Sequence, residues 1–424
     1  FYNTRPPMSM DTRAQLQQTR DRMGDLFTPN QVLGRIHTIG CVAVEITQRC
    51  NLDCTLCYLS EHSQQVRDIP LAEVFRRLDL ALEHYGPGTP VQITGGDPTL
   101  RKHKELIQIV RYAADLGLYP AMFTNGIAAS RPLLEKLAEA GLKDVAFHVD
   151  TTQRRQDIPN ELALNAVRSE YIERARGLGL MVIFNTTVHS GNYHHLPELT
   201  QFFIDNADVV GLASFQLQAE TGRGEWGSRD VCVSHESVKA QLDAAMGEAL
   251  PWGVIQVGHH DCHSYMPTVV SNRKAFPLAL DRKLFGDFLE DFQSLAWDRQ
   301  KHGAFLACIF LWELLKRPSW WLRAARYLGA QGRRMGGAIL RDRGRVRKLT
   351  FFVQNFMDAN HLEQERIDGC SFMVMTADGP VSMCKHNANR DEHILKTLEM
   401  KNEDGSVEVF EPIKWVADSK RAKG

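Results

Sequence analysis

The sequence predicts an α/β fold built on a mostly parallel sheet. Two observations carry that prediction. Between residues 41 and 218, six short apolar, β-branched runs alternate with segments of helical periodicity. The runs are apolar almost throughout, as in strands buried on both faces, and do not alternate as strands with one wet face do. A third observation bounds the size: 424 residues, 43% hydrophobic and 24% charged, suffice for one large domain with extensions or for two to three domains.

Taken in order, residues 1–40 are polar, charged and helix-prone, an N-terminal helical extension. The first strand is "CVAVEI" (41–46). A helix over 70–86 opens at Pro70 and stops at Gly86. Strand 91–94 leads into the turn "GGDPT", and a helix follows over 103–117. Strand 119–124, helix 131–141, strand 144–150, helix 161–179, strand 180–188, helix 196–206 and strand 209–218 complete the rhythm. Successive right-handed βαβ units curl into either an open doubly wound sheet or a barrel, and periodicity does not choose between them. Beyond 220 the rhythm breaks. A polar, Gly-rich loop "QAETGRGEWGSRD" precedes a helix over 235–250. Residues 281–347 are almost continuously helical in pattern, interrupted near Pro318. Residues 349–387 hold short strands around the turn "TADGPV". The division expected is 1–40, 41–220, a connecting region 221–348 with a helical insertion, and a small C-terminal segment 349–424.

A net charge of −1 means that composition as a whole points to no nucleic-acid or membrane partner, leaving that to local charge. Nine cysteines, odd in number and unevenly placed, are not the framework of a secreted disulfide scaffold. The start has no signal-peptide pattern, and no run reaches the length of an apolar membrane span, so a cytoplasmic location is expected.

Cys50, Cys54 and Cys57 follow the first strand as C-x3-C-x2-C. They lie at its carboxyl end, where α/β folds build their sites. Structural zinc calls for four ligands, usually as two C-x2-C pairs, with His62 as a candidate fourth here. Redox thiols favour a single C-x-x-C. Three thiolates fit a four-iron cluster with three irons held by protein and one left open.

This motif, followed by Tyr58 within "EITQRCNLDCTLCY", resembles that of the radical S-adenosylmethionine (radical SAM) superfamily. "GGDPT" (95–99) is similar to that family's Gly-Gly-Glu-Pro element, with Asp97 in place of the commoner Glu, and "TNG" (124–126) ends the third strand. The resemblance covers roughly 41–218. It implies a partial (β/α)6 TIM-like barrel, a [4Fe-4S] cluster on Cys50, Cys54 and Cys57, and S-adenosyl-L-methionine on the open iron. With one electron from a flavodoxin- or ferredoxin-type reductant, the nucleotide would yield a 5′-deoxyadenosyl radical that takes hydrogen from an unactivated C–H bond. The implied cofactor contacts are Tyr58, Gly95, Gly96, Asp97, Pro98 and the strand-end residues Asn125, Asp150, Asn185, Gln216 and Gln218. Arg154, Arg155, Glu220 and Arg223 are secondary candidates.

Cys370 and Cys384 flank the turn at Asp378-Gly379. This piece resembles the SPASM or twitch half-domain of many radical SAM enzymes, whose hairpin helps hold a second, auxiliary iron–sulfur cluster. No cysteine follows Cys384, so further ligands must come from upstream: Cys262, with His263 or Cys232 behind it. The segment is similar as well to the C-terminal part of tetraether-synthase enzymes, which join lipid chains. Cys41 and Cys308 read as core residues.

From Lys316 to Lys348 there are eleven Lys or Arg and one acid, Asp342, and Trp312, Trp320 and Trp321 lie close by. Apolar faces beside Arg-rich faces mark an interfacial helix, suited to an anionic membrane surface. The expected substrate is therefore a lipid or other amphiphile, with the protein peripheral to the membrane. The alternative is a ribosomally made peptide, although residues 1–40 are too short for a leader-binding winged helix. A noncatalytic iron–sulfur electron carrier is the third reading.

Overall fold

The computed structural model describes residues 12–227, 233–292, 295, 303–401 and 406–413. Helix α1 (Arg13–Met23) precedes strand β1 (Cys41–Thr47), whose seven residues are all buried. Then come α2 (Leu71–Tyr85), β2 (Pro90–Gly95), α3 (His103–Asp115), β3 (Tyr119–Thr124), α4 (Arg131–Glu139), β4 (Asp144–His148), α5 (Asn165–Ala175), β5 (Met181–Val188), α6 (Leu196–Asp205) and β6 (Val210–Leu217). The helices form because their apolar residues recur every three to four positions. Val74, Leu78 and Leu82 of α2 and Leu106, Ile109 and Val110 of α3 are buried in one core against the strands. The six strands read from the sequence are all present and pair in chain order, parallel throughout.

The chain continues with α7 (His235–Met246), the hairpin β7 (His263–Ser271) and β8 (Lys274–Pro277), α8 (Arg282–Asp291), α9 (Gly303–Leu315) and α10 (Pro318–Arg341). After these come β9 (Arg347–Gln354), α11 (Gln364–Asp368), β10 (Phe372–Thr376), β11 (Gly379–Ser382), α12 (Met383–Ala388) and α13 (Arg390–Ile394). A last hairpin joins β12 (Leu398–Lys401) to β13 (Val407–Phe410). The later strands extend the sheet at both edges. β9 adds parallel to β6 and β10 adds parallel to β1, while β7–β8 and β11 cap the two sides antiparallel. The short strands expected after 349 therefore belong to the main sheet, which has eleven strands.

The sheet curls into a barrel. Phe352 of β9 and Phe372 of β10 have ring centroids 6.0 Å apart, and the His263 ring of β7 lies 5.0 Å from Phe372. In the loops beside this seam the His259 N–H donates to the Gly369 carbonyl at 3.0 Å. β9 and β10 share no ladder, so the closure is made by side chains and loops, not by strand pairing. Every second strand residue faces inward: Ala43 and Glu45, Gln92 and Thr94, Ala121 and Phe123, Ala146 and His148, Leu212, Ser214 and Gln216. Many of these are small, so the interior is hollow, unlike a barrel filled by layers of branched side chains. The cavity, about 1260 Å³, is lined from both ends of the same strands, for example Met181 and Thr187 of β5.

Cys41 is buried as expected, but Cys308 is exposed on α9. Residues 303–315, "GAFLACIFLWELL", are so uniformly apolar that the sequence marks no inward face there. Among the described residues no helix is long and apolar enough to cross a membrane.

Candidate functional site

The carboxyl ends of the strands open onto the loop that follows β1. Cys50, Cys54 and Cys57 all lie on it, all are free thiols, and all line the cavity. Burial pushes the Cys50 and Cys54 thiols up, and each thiol's neighbours in the trio raise it further.

Two other loops hold the cysteine loop in place. Thr55 N–H donates to the Thr152 carbonyl at 2.9 Å, and Glu225 N–H donates to the Thr55 carbonyl at 2.7 Å. Arg223, a secondary candidate in sequence, lies on this contact: its guanidinium donates to the Leu52 carbonyl at 3.1 Å and pairs with Asp53 at 3.3 Å. Arg154 pairs with Glu225 and Arg155 donates to the Asn125 carbonyl, both across these loops. Glu220 instead braces its own loop through the Gly227 N–H. His62 faces Asp391 at 4.0 Å and does not complete a four-ligand shell.

Of the expected cofactor contacts, Tyr58, Gly95, Gly96, Asn125, Asn185 and Gln216 line the cavity. Tyr58 donates to the Gly95 carbonyl at 2.7 Å. Asn125 sends its amide to Asn51 at 2.6 Å and toward the Cys50 sulfur at 3.8 Å. Gly95 and Gly96 have a further reason to be glycine. A Cβ at Gly95, which holds φ at +128°, would sit 1.9 Å from the Thr47 carbonyl, and one at Gly96 would sit 2.0 Å from the Arg49 carbonyl. The pair therefore lets the β2 turn lie directly on the start of the cysteine loop.

Asp97, Pro98, Asp150 and Gln218, also expected as cofactor contacts, do not line the cavity. Asp97 is buried and spends both carboxylate oxygens on the turn. It accepts from the Thr99 N–H at 3.0 Å, and from the Thr124 hydroxyl and the Asn125 N–H at 2.8 Å each. Asp97 thus positions Asn125. Pro98 is buried at the head of the short 3-10 turn that Asp97 caps. Asp150 acts similarly after β4, accepting from the Thr152 N–H at 3.0 Å and the Thr187 N–H at 2.7 Å. Its neighbour His148 is the residue that faces the cavity, with Nε2 2.6 Å from Asp150. Burial alone would lower the His148 pKa, but the Asp150 carboxylate outweighs it and the net shift is upward. Gln153 and Thr187 line the cavity beside His148. Strand alternation through Asp144, Ala146 and His148 would have placed His148 inside.

Cys262, Cys370 and Cys384 are brought together in a small second cavity, all three buried, with Met357, Arg366 and His263 in its wall. Cys262 precedes β7, Cys370 precedes β10 and Cys384 lies in α12, so the seam of the barrel assembles them. Burial pushes Cys262 up to about 11 and Cys384 up to about 12. The Arg366 guanidinium donates to the Cys262 sulfur at 3.2 Å and opposes the first of these shifts. His263 is buried with Nδ1 unpartnered, and burial holds its pKa down to about 3. Cys232 lies outside the described residues.

Donor spacing separates a single ion from a larger group. Among the described residues, His259, His260 and Asp261 form the only trio of such side chains whose donor atoms all fall within 4.8 Å of one another. Neither cysteine trio is that tight. Tetrahedral zinc, with Zn–S near 2.3 Å, would draw sulfurs to about 3.8 Å apart. Three cysteines spread more widely, with no fourth ligand grouped at Cys50–Cys57 among the described residues, fit an iron–sulfur cluster better than one metal ion.

A buried tie that the sequence reading missed links the two trios. Glu45 of β1 accepts from Arg390 at 2.7 Å and meets His386 at 3.3 Å. Arg390 also stacks over the Tyr58 ring at 4.7 Å. A lone acid inside the apolar run "CVAVEIT" was the available signal.

Residues 44–203 match the family model described as the Radical SAM superfamily. The chain is 29% identical over 186 residues to a 7,8-dihydro-6-hydroxymethylpterin dimethyltransferase of Methanocaldococcus jannaschii, covering 42% of this chain and 36% of that protein. It is 31% identical over 180 residues to a PqqA peptide cyclase of Bradyrhizobium diazoefficiens, covering 41% of this chain and 46% of that protein. The chain thus matches less than half the length of either relative. Among solved structures, SuiB of Streptococcus suis bound to precursor peptide SuiA aligns with a TM-score of 0.40 at 16% identity, over 57% of this chain and 53% of that one.

Proposed function

We propose that this chain, whose residues 44–203 are a radical SAM domain, is an enzyme that applies radical chemistry to a peptide substrate. The observation that carries the enzymatic reading is the trio Cys50, Cys54 and Cys57: free thiols on one loop, at the mouth of a hollow barrel. When bound there, a four-iron cluster with S-adenosylmethionine supplies a 5′-deoxyadenosyl radical able to take hydrogen from an unactivated C–H bond. The chain's own residues hold, orient and shield. Cys50, Cys54 and Cys57 would hold the cluster. Asn125, the Gly95–Gly96 backbone, Asn185 and Gln216 would orient the nucleotide from the strand ends. The barrel wall keeps bulk water from the reacting atoms. Cys262, Cys370 and Cys384 would hold an auxiliary cluster. A flavodoxin- or ferredoxin-type protein would supply the electron.

The peptide reading rests on relatives named PqqA peptide cyclase, which recur among the curated matches. The relatives described above act, by name, on a peptide and on a pterin, and give the lipid substrate no support. The test is anaerobic incubation of the iron-reconstituted full chain with dithionite, S-adenosylmethionine and a perdeuterated random-peptide pool. The expected product is 5′-deoxyadenosine carrying deuterium, absent in the Cys50→Ala/Cys54→Ala/Cys57→Ala variant. No 5′-deoxyadenosine at all would leave an electron carrier in place of an enzyme. Product without deuterium transfer would keep the radical chemistry and remove the peptide.

A further inference from the structure

Helix α10 has two unlike faces. One is anchored to the body: Trp320 donates to Asp291 at 2.6 Å, Tyr327 to the Leu278 carbonyl at 2.7 Å, and Gln331 to the Pro277 carbonyl at 3.0 Å. The opposite face carries Trp321, Leu322, Leu328 and Leu340, all more than half exposed, with Leu340 at 81%. Trp321, Ala325, Leu328 and Gly332 recur at three- and four-residue spacing, with Leu322, Gly329 and Leu340 beside them, and together make one apolar strip. Leu311, Trp312 and Leu315 of α9 are equally exposed and add to it. Exposed apolar area on this scale marks an interaction surface.

Charge identifies the partner. The acids that form ion pairs around α10 are already taken: Glu313 by Lys316 and Arg317, Asp287 by Lys283 and Arg323, Glu248 by Arg334, and Asp342 by Arg347. Arg326 and Arg333, which border the strip, have no ion-pair partner among the described residues, nor do Arg341, Arg343 and Arg345 just beyond it. An apolar strip edged by unpaired arginines, with tryptophan within it, matches the boundary between acyl chains and anionic headgroups. A second copy would set like charges against each other. Nucleic acid would leave the tryptophan and leucines exposed to water.

We infer that the α9–α10 face docks on an anionic lipid bilayer. Trp321, Leu322 and Leu328 enter the headgroup boundary, and Arg326 and Arg333 pair with lipid phosphates. The inference concerns where the protein sits and stands whichever substrate the barrel takes.

Vesicle flotation of the full chain tests it, comparing pure phosphatidylcholine with vesicles holding about 30% phosphatidylglycerol. The protein is expected to float with the anionic vesicles and not with the neutral ones, and to be released by high salt. Arg326→Glu/Arg333→Glu and, separately, Trp321→Ser/Leu328→Ser should each weaken binding at least about tenfold. Both pairs are surface substitutions, and although Trp321→Ser also removes a hydrogen bond to the Leu314 carbonyl, circular dichroism should show the wild-type fold in each. Wild-type protein that stays at the bottom of the gradient with anionic vesicles overturns the inference. So does variant protein that floats as wild type does. Dimerisation lost in Trp321→Ser/Leu328→Ser, without flotation, would overturn it as well and give the face to a second copy.

Discussion

The two cysteine trios are built in opposite ways. Cys50, Cys54 and Cys57 come from one loop and are half-buried at the edge of a large cavity. Cys262, Cys370 and Cys384 come from three distant segments and are buried in a small one. The first arrangement leaves room for a ligand to reach the metal centre. A centre held by the second would be enclosed among Phe372, Met357 and Arg366, an environment suited to passing electrons more than to binding substrate. Position alone therefore assigns different work to the same side chain.

The sharpest way to break this comparison is to remove one cysteine from each trio. Cys50→Ala should abolish reductive cleavage of S-adenosylmethionine, by about 1000-fold or more, a barrier increase of roughly 4 kcal/mol. Cys384→Ala should leave 5′-deoxyadenosine formation within about threefold of wild type, roughly 0.7 kcal/mol, while product formation fails. Chromatographic measurement of both products decides it. Equal loss of 5′-deoxyadenosine in the two variants would mean that the trios do not act separately.

The tie between them comes next in size. Glu45 is buried, and although burial alone would raise its pKa, Arg390 and His386 together hold it well below the usual carboxylate range. Glu45→Gln leaves the buried Arg390 without its main counter-charge and should cost about 3 kcal/mol. Because the folded pKa is depressed, the advantage of wild type over this variant is present above about pH 4 and is lost as the pH falls further. Denaturant melts of the two proteins at several pH values give both numbers. A constant difference down to low pH would show that Glu45 acts by shape alone.

How much of this was legible depends on how local the cause is. The Cys50 trio and the six parallel strands follow from spacing and periodicity, which are local. The meeting of Cys262 with Cys370 depends on β7 lying antiparallel on β9 while β10 returns to β1, pairings such as Val353 with Ser264 and Cys41 with Phe372. No short-range pattern encodes those. Asp97 and Asp150 were legible as strand-end acids, but not their aim. Each caps a 3-10 turn through its own side chain, which directs the carboxylate into the backbone and away from the cavity. His148 lies in plain alternation on β4, two residues before the acid that the strand-end pattern picks out.

Arg366 sharpens the comparison at the second trio. Its guanidinium lies 3.2 Å from the Cys262 sulfur and also donates to the Asn355 carbonyl at 2.6 Å. A fixed positive charge beside a thiolate favours the reduced state of whatever the thiolate holds. Arg366→Gln should therefore move the midpoint potential of the second centre negative by about 60 mV, a factor of ten for one electron. A redox titration followed by electron paramagnetic resonance reads it, with the first centre as internal control. A shift in both centres, or in the first alone, would sever Arg366 from the second trio.

The smallest effect expected is at His148, and it separates a residue that faces the cavity from one that holds it. Asp150 is fully buried with every oxygen engaged, whereas the His148 side chain is one-third exposed. The folded pKa of His148 is raised, because the Asp150 carboxylate outweighs burial. A raised pKa means the ion pair stabilises the fold fully below about pH 6.5 and fades as the pH rises through the folded value. Solvent screening keeps the contribution at about 1 kcal/mol or less. The melting difference between wild type and His148→Gln should accordingly shrink from pH 6 toward alkaline pH, by about that amount. If it instead grows with pH, the imidazole is neutral in the fold. His148 would then meet the cavity's contents as a hydrogen-bonding group and not as a cation, and Asp150 would be held chiefly by the Thr152 and Thr187 amides and the Thr152 hydroxyl.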